Sequence, residues 1–297
     1  MSTPITPATT AASAVLASPP ALLPALINQP IAFIGGGNMA SAIIGGLLQQ
    51  GMPSSQLEVV EPWAEASERL KSQFGVVAHA QPGPALQRCA AVVWAVKPQT
   101  FRDAAHQARP WVAHALQLSV AAGIRSDSIA QWLGTGRIVR SMPNTPALVG
   151  QGMTGLFARE AVTSSEKALV ESIVRPTGQY LWLEQESDLD TVTALSGSGP
   201  AYVFYFIEAM VQAGMDMGLP AQQARNLAVA TFAGAAELAR LSTEPPAVLR
   251  ERVTSKGGTT YAAITALEQA DVKNRFIDAM KAAQMRAKEL GDEFGVN

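Results

Sequence analysis

Charge is scarce in this chain, and its absence is uneven. Asp, Glu, Lys and Arg make up 15% of the residues, 22 basic against 24 acidic, and no charged side chain precedes Glu58. An average soluble domain carries about 25% charged residues, so much of the surface is uncharged or covered. Without a basic run the chain is a poor candidate for nucleic-acid binding, which draws its affinity from clustered Lys and Arg. The single cysteine excludes a disulfide framework and any cysteine-based zinc site, and it suits a reducing compartment. The three histidines, His79, His106 and His114, have no mutual ligand spacing, so no metal is expected.

The charge-free opening needs a check for a membrane span. Ile31 to Leu48 carries no charge and approaches the ~20 residues a spanning helix needs. Gly35, Gly36, Gly37, Asn38 and Ser41 interrupt it near its start, so a strand turning into a helix explains it better. Residues 1–28 lack Lys and Arg and so lack the marks of a signal or transit peptide. Their Ala, Pro, Ser and Thr content reads as a disordered tail, and a cytoplasmic protein is expected.

The organised part begins at Ile31. IAFI (31–34), LEVVE (57–61), AAVVWAV (90–96), Leu116–Val120 and Arg137–Ser141 read as strands, with a short one at Val76–Val77. Their continuous apolar character is that of parallel strands buried on both faces. Helices between them imply right-handed crossovers. Thr154–Ala158 and Tyr180–Leu183 extend the sheet, with a helix over Ser164–Arg175 between them. Beyond about Glu184 the pattern turns wholly helical: Pro200–Leu219, Ala221–Leu241, Pro246–Val253, Thr259–Gln269 and Val272–Leu290. The expected class is α/β: a Rossmann-type parallel-sheet domain over 29–184, followed by an all-α dimerisation domain over 185–297. Tyr202–Met217 and Leu227–Leu238 are apolar nearly all round, which requires burial from every side. A second subunit is therefore expected to cover part of them.

Several motifs carry chemistry. Gly35-Gly36-Gly37-Asn38-Met39-Ala40 follows the strand ending at Ile34 and fits G-x-G-x-x-A, the turn that places a dinucleotide pyrophosphate at a helix N-terminus. Glu61, at the end of the next strand, stands where a carboxylate usually accepts from the adenosine ribose hydroxyls. It would repel a 2′-phosphate and so favours NADH over NADPH. Ala95-Val96-Lys97-Pro98 and Val120-Ala121-Ala122 follow two further strands, at the edge where the cofactor crevice of such a sheet lies. Pro143 and Pro146 stiffen a loop in which Asn144 offers an amide. Thr193–Tyr202 (TALSGSGPAY) is a small-residue hinge into the long apolar helix; neither Ser196 nor Ser198 fits the G-x-S-x-G elbow of a nucleophilic serine. Ser255-Lys256-Gly257-Gly258-Thr259-Thr260 opens another helix, offering backbone N–H groups to a carboxylate with Thr hydroxyls at the rim.

With MPNTPALVGQG (Met142–Gly152), TALSGSGPAY (Thr193–Tyr202) and VTSKGGTT (Val253–Thr260) in this order and spacing, the chain from Ile31 to Leu290 resembles the Δ1-pyrroline-5-carboxylate reductases. The resemblance implies reduction of a cyclic imine to L-proline by NADPH or NADH, in homodimers that often assemble into larger rings. It places the pyrophosphate at Ile34, Gly35, Gly36, Gly37, Asn38 and Met39, and the nicotinamide beside Ala95, Lys97, Val120 and Ala122. Pro98 and Asn144 are further cofactor candidates. It places the substrate at Ser255, Gly257, Gly258, Thr259 and Thr260, with Thr260 hydrogen-bonded to the ring nitrogen as the catalytic candidate. The site would lie where one subunit's cofactor domain meets the helical domain of its partner. Lys256 departs from the family, which has Pro there, and Glu61 departs from the neutral or basic residues that suit NADPH. Two other readings stand beside this one: a related reductase acting on another imine or a β-hydroxy acid, and a nucleotide-binding sensor without turnover.

Overall fold

The computed structural model describes residues 29–295. The tail expected over 1–28 lies outside them.

Eight strands form one sheet in the order β3-β2-β1-β4-β5-β6-β7-β8. They are β1 (Ile31–Ile34), β2 (Leu57–Val60), β3 (Ala78–His79), β4 (Ala91–Trp94), β5 (Leu116–Ser119), β6 (Ile138–Met142), β7 (Gly152–Ala158) and β8 (Gly178–Trp182). All pairings are parallel except β6 with β7. The helices between them are α1 (Asn38–Gln49), α2 (Ala64–Phe74), α3 (Pro98–Val112), α4 (Ser126–Leu133) and α5 (Ser164–Val174).

Strand alternation sorts the core into two layers. Ile31, Phe33, Val59, Val93 and Leu118 face α1 and α5, packing on Ile43, Ile44, Leu47, Val170 and Ile173. Ala32, Ile34, Val92 and Trp94 face α3 and α4, packing on Phe101, Ala105, Ile129 and Trp132. Trp94, Phe101 and Trp132 form a chain of rings with centroids 5.0 and 5.8 Å apart. Burying each such large side chain contributes roughly 1.5–3 kcal/mol. The buried Gln117 stays satisfied: its Oε1 accepts from Trp94 Nε1, and its Nε2 donates to the carbonyls of Val112 and Ala115.

The third strand lies two residues later than Val76–Val77. Val76 is a core plug and Val77 is exposed. The ladder to β2 begins at Ala78, opposite Val59. The pair Ala78–His79 carries little apolar signal beside the two valines, which is why sequence pattern points upstream of it.

The helical region comprises α6 (Asp188–Val192), α7 (Gly199–Asp216), α8 (Ala221–Leu241), α9 (Pro246–Arg252), α10 (Thr259–Gln269) and α11 (Val272–Gly295). The stretch read as a hinge is helical: Thr193–Gly197 is a π-turn that links α6 to α7, closed by Ser198 N donating to Thr193 O. Small residues there allow close packing on Met142 of the sheet domain rather than flexibility. α7 and α8 form a hairpin with Gly214 against Ala224. α11 returns to the sheet domain, where Leu290 and Phe294 pack over Gly123. Tyr202 and Phe206 both meet Phe276 edge-on.

The apolar faces of α7 and α8 are open in the single chain. Phe204 is 58% exposed, Tyr205 70%, Leu227 58% and Leu238 69%. A continuous apolar surface of this kind marks an association site. Among the described residues, no helix is long and apolar enough to cross a membrane.

Candidate active site

The order of strands reverses between β1 and β4, the switch point at which open α/β sheets place their ligands. The mouths of the strands are fixed by the last ladder bonds. Gly35 N donates to Val60 O, Ala95 N to Ile34 O and Val120 N to Trp94 O. Met39, Ala95 and Val120, three of the residues expected to line the cofactor, are all packed against the same core cluster.

The glycines of the first turn have three different roles. Gly35 has φ +99°, and a Cβ there would lie 2.6 Å from Ala95 O. Gly36 abuts the side chains of Leu70 and Glu61. Gly37 has nothing within 4 Å of where a Cβ would stand. That open space borders the start of α1, where Ser41 N closes the first turn on Gly37 O. The N–H groups of Asn38, Met39 and Ala40 therefore have no intrahelical acceptor. Open space beside free N–H groups fits the pyrophosphate of a dinucleotide.

Lys97 precedes α3, in which Pro98 is the first residue, and its side chain is exposed at the mouth of β4. Ala122 is half-buried beyond β5. Asn144 is pinned: its Oδ1 accepts from Met153 N at 2.9 Å, and its Nδ2 donates to Ser196 Oγ at 3.1 Å. It thereby ties the sheet domain to the π-turn. It also lines, with Ser196, Tyr202, Phe206 and Phe276, an apolar cavity of about 690 Å³ between the sheet domain and the helices. By sequence Ser196 is only a serine outside the G-x-S-x-G pattern; its role as the partner of Asn144 has no sequence signature.

The second helix start that the sequence offers to an anion is that of α10. Gly257 has φ +77°, which favours glycine, and Gly258 precedes the helix with room for Ser255 Oγ but not for a Cβ beside it. Thr259 and Thr260 form the first turn, where backbone N–H groups are again free of intrahelical acceptors. Ser255, Lys256, Gly257 and Thr259 are exposed, and Gly258 and Thr260 are half-buried. Among the described residues, no hydrogen bond or ion pair joins this loop to the sheet domain of the same chain. Both glycine-bearing helix starts that the sequence suggested are present, and the second is largely exposed in the single chain.

Just beyond β2, Glu61 is buried, and beside it Trp63 is 76% exposed. Arg69 Nη2 reaches Gly36 O at 3.4 Å. Neither Trp63 nor Arg69 belongs to the dinucleotide fingerprint, and only their position after β2 could have marked them. The three histidines stand apart; His79 Nε2 lies 3.0 Å from Glu58 Oε2.

Comparison with known proteins extends over nearly the whole chain. Residues 186–290 match the pyrroline-5-carboxylate reductase dimerisation domain, and residues 30–123 match the family described as NADP oxidoreductase, coenzyme F420-dependent. The pyrroline-5-carboxylate reductase of Pseudomonas aeruginosa is 40% identical, covering 89% of this chain and 98% of that protein. The one from Pisum sativum is 36% identical, covering 91% and 99%. Among solved structures, the Coxiella burnetii enzyme has a TM-score of 0.82 at 38% identity, covering 88% of this chain and 98% of the other. The Plasmodium falciparum enzyme, solved with NADP bound, has a TM-score of 0.80 at 29% identity, covering 89% and 98%. With this likeness along almost its full length, the chain belongs to the pyrroline-5-carboxylate reductase family.

Proposed function

We propose that this protein reduces Δ1-pyrroline-5-carboxylate to L-proline with NADPH or NADH, in the cytoplasm, at a site completed by two subunits of a homodimer. The observation that carries the reading is the pairing of an open glycine turn at the sheet edge with a second open helix start at Gly257–Thr260. A sensor of dinucleotides has no need of a second anion-binding element. The family's larger rings would be built from such dimers.

When bound, the reduced nicotinamide supplies the hydride. Ile34, Gly35, Gly36, Gly37, Asn38 and Met39 would hold its pyrophosphate, and Ala95, Lys97, Pro98, Val120 and Ala122 would border its reactive end. Asn144 would act from the floor, through the bonds that tie it to Met153 and Ser196. Gly257, Gly258 and Thr259 would receive the substrate carboxylate on backbone N–H groups, with Ser255 at the rim. The Thr260 hydroxyl would hydrogen-bond the ring nitrogen and orient the imine carbon. Lys256, exposed where the family has Pro, would add attraction for the carboxylate.

The work asked of these residues is modest. A protonated imine is already electrophilic at carbon, so no strong general base is needed. What remains is alignment and exclusion of water, and holding two reactants in register can itself supply much of the barrier reduction. The loop at 255–260 is largely exposed and, among the described residues, makes no hydrogen bond or ion pair to its own sheet domain, and α7 and α8 expose apolar faces. Both features support a partner subunit bringing its loop to the cofactor edge.

The test is loss of reduced-nicotinamide absorbance on adding pyrroline-5-carboxylate to folded protein. No loss with either cofactor would refute the proposal. Thr260→Ala should lower kcat by on the order of tenfold or more while sparing cofactor affinity. An unchanged kcat would remove Thr260 from the site.

A further inference from the structure

The carboxylate at the end of β2 is engaged by the backbone. Glu61 Oε2 accepts from Gly36 N at 2.7 Å, and Oε1 accepts from Trp63 N at 2.8 Å. Glu61 is only 8% exposed. Hydrogen bonds to an ionised acceptor are stronger than neutral ones, so these two bonds clamp the middle of the glycine turn to the start of α2. Packing reinforces the clamp: a Cβ on Gly36 would stand 2.6 Å from Leu70 Cδ1 and 3.2 Å from Glu61 Cγ. A free acid at this position would offer its oxygens to ribose hydroxyls. Here each oxygen already holds an N–H group, and little of the carboxylate reaches solvent.

Two other residues lie beside this turn. Arg69 lies on α2 immediately before Leu70, and its Nη2 is 3.4 Å from Gly36 O. Among the described residues, its guanidinium forms no ion pair. Trp63, whose N–H is held by Glu61 at the start of α2, keeps its indole largely exposed. A planar guanidinium is suited to a phosphate, and an exposed indole to stacking with a base.

We propose that Glu61 is a positioning residue that holds the glycine turn in shape for either cofactor, and that Arg69, with Trp63 as the stacking face, reads the substituent on the adenosine 2′ position. The carboxylate then does not bar NADPH. The inference rests on the dinucleotide-dependent reading of the site.

Dissociation constants of NADPH and NADH, measured by calorimetry without substrate, test it directly. The wild type should bind both. Glu61→Gln keeps the shape but loses the charge, so it should weaken both cofactors by similar factors, with their ratio moving less than about threefold. Arg69→Gln should weaken NADPH by on the order of tenfold or more, the worth of one charge-assisted contact, and leave NADH within about threefold. Tighter NADPH binding by Glu61→Gln with NADH unchanged would overturn the proposal, as would unchanged NADPH binding by Arg69→Gln. Arg69 is on an exposed stretch of helix, so its variant should fold even where Glu61→Gln does not. A wild type that binds neither cofactor would instead sink the oxidoreductase reading, and this inference with it.

Discussion

Arg140 Nη1 donates to Glu186 Oε1 at 2.7 Å, joining a strand of the sheet to the segment that enters the helical region. The same carboxylate accepts from Ser126 N at 2.6 Å and from Ser126 Oγ at 2.5 Å. One acid therefore neutralises a buried arginine and completes the start of α4. Removing one member of a buried pair leaves an uncompensated charge, which costs more than the pair contributes. Glu186→Ala should destabilise the protein by on the order of 3 kcal/mol, seen as a lower urea midpoint. The double variant Arg140→Met/Glu186→Leu should lose less than Glu186→Ala alone. A double variant as unstable as the two single losses added together would show that charge stranding is not the cause.

Gly35 and Gly37 make opposite predictions although they are two residues apart. Gly35 has φ +99° and Ala95 O lies 2.6 Å from a would-be Cβ, so Gly35→Ala should lower the melting temperature of the protein without ligand. The left-handed conformation alone costs an L-residue roughly 1–2 kcal/mol. Gly37 has extended backbone, φ −72° and ψ −171°, and no neighbour within 4 Å. Gly37→Val should fold normally yet occupy the space assigned to the pyrophosphate, weakening cofactor binding by more than about tenfold. Thermal melts beside cofactor titrations separate the two. A Gly37→Val protein with unchanged affinity would remove Gly37 from the cradle.

What could be read from sequence follows from the range of the interactions involved. The apolar runs at 31–34 and 91–94 announced buried parallel strands, and periodicity placed α8 and α10 at their observed bounds. Local patterns do not carry long-range pairing. The strand Ala78–His79 exists because β2 is beside it, and its own residues say nothing of that. The π-turn at Thr193–Gly197 looked like a hinge because its residues are small. Their smallness instead serves contact with Met142, about fifty positions away in the chain. Glu61 shows the same limit in the site. Its type and place suggested a ribose acceptor, but the bond to Gly36 N is a tertiary fact. The exposed faces of α7 and α8 were the converse case, where a helix apolar all round indicated a partner that a single chain does not supply.

Those faces predict a concentration-dependent loss of assembly. Leu238 on α8 and Tyr205 on α7 are among the most exposed large apolar residues of the helical region. A carboxylate buried in an apolar interface without a partner is strongly unfavourable. Leu238→Glu and Tyr205→Glu should each raise the dimer dissociation constant by more than about tenfold, read by sedimentation velocity across a dilution series. Imine reduction should fall in step with dimer content, while cofactor binding by the sheet domain persists. Full activity in a variant that sediments as a monomer would contradict a site shared between subunits.

Asp190, in α6 close to the Arg140–Glu186 knot, predicts a pH dependence. Burial pushes its carboxyl above the ordinary aspartate value; the charges of Arg125 and Arg140 pull the other way but do not prevail, and Asp292 and Glu186 add to the rise. The folded protein therefore holds this proton more tightly than the unfolded chain. Below the ordinary value both states are protonated, and the residue contributes no pH dependence. As pH rises from there through the raised folded value, the unfolded chain releases its proton first and stability falls. Above that window the penalty is complete and constant. Asp190→Asn removes the ionisation, so the variant's melting temperature should match that of the wild type near pH 3. It should move above the wild type as pH increases and then run parallel to it near neutrality. Taking the difference between the two proteins at each pH cancels the titration of the other carboxylates. A difference that stays flat from pH 3 to pH 7, or that shrinks as pH rises, would show that the folded surroundings do not raise the Asp190 carboxyl above its ordinary value.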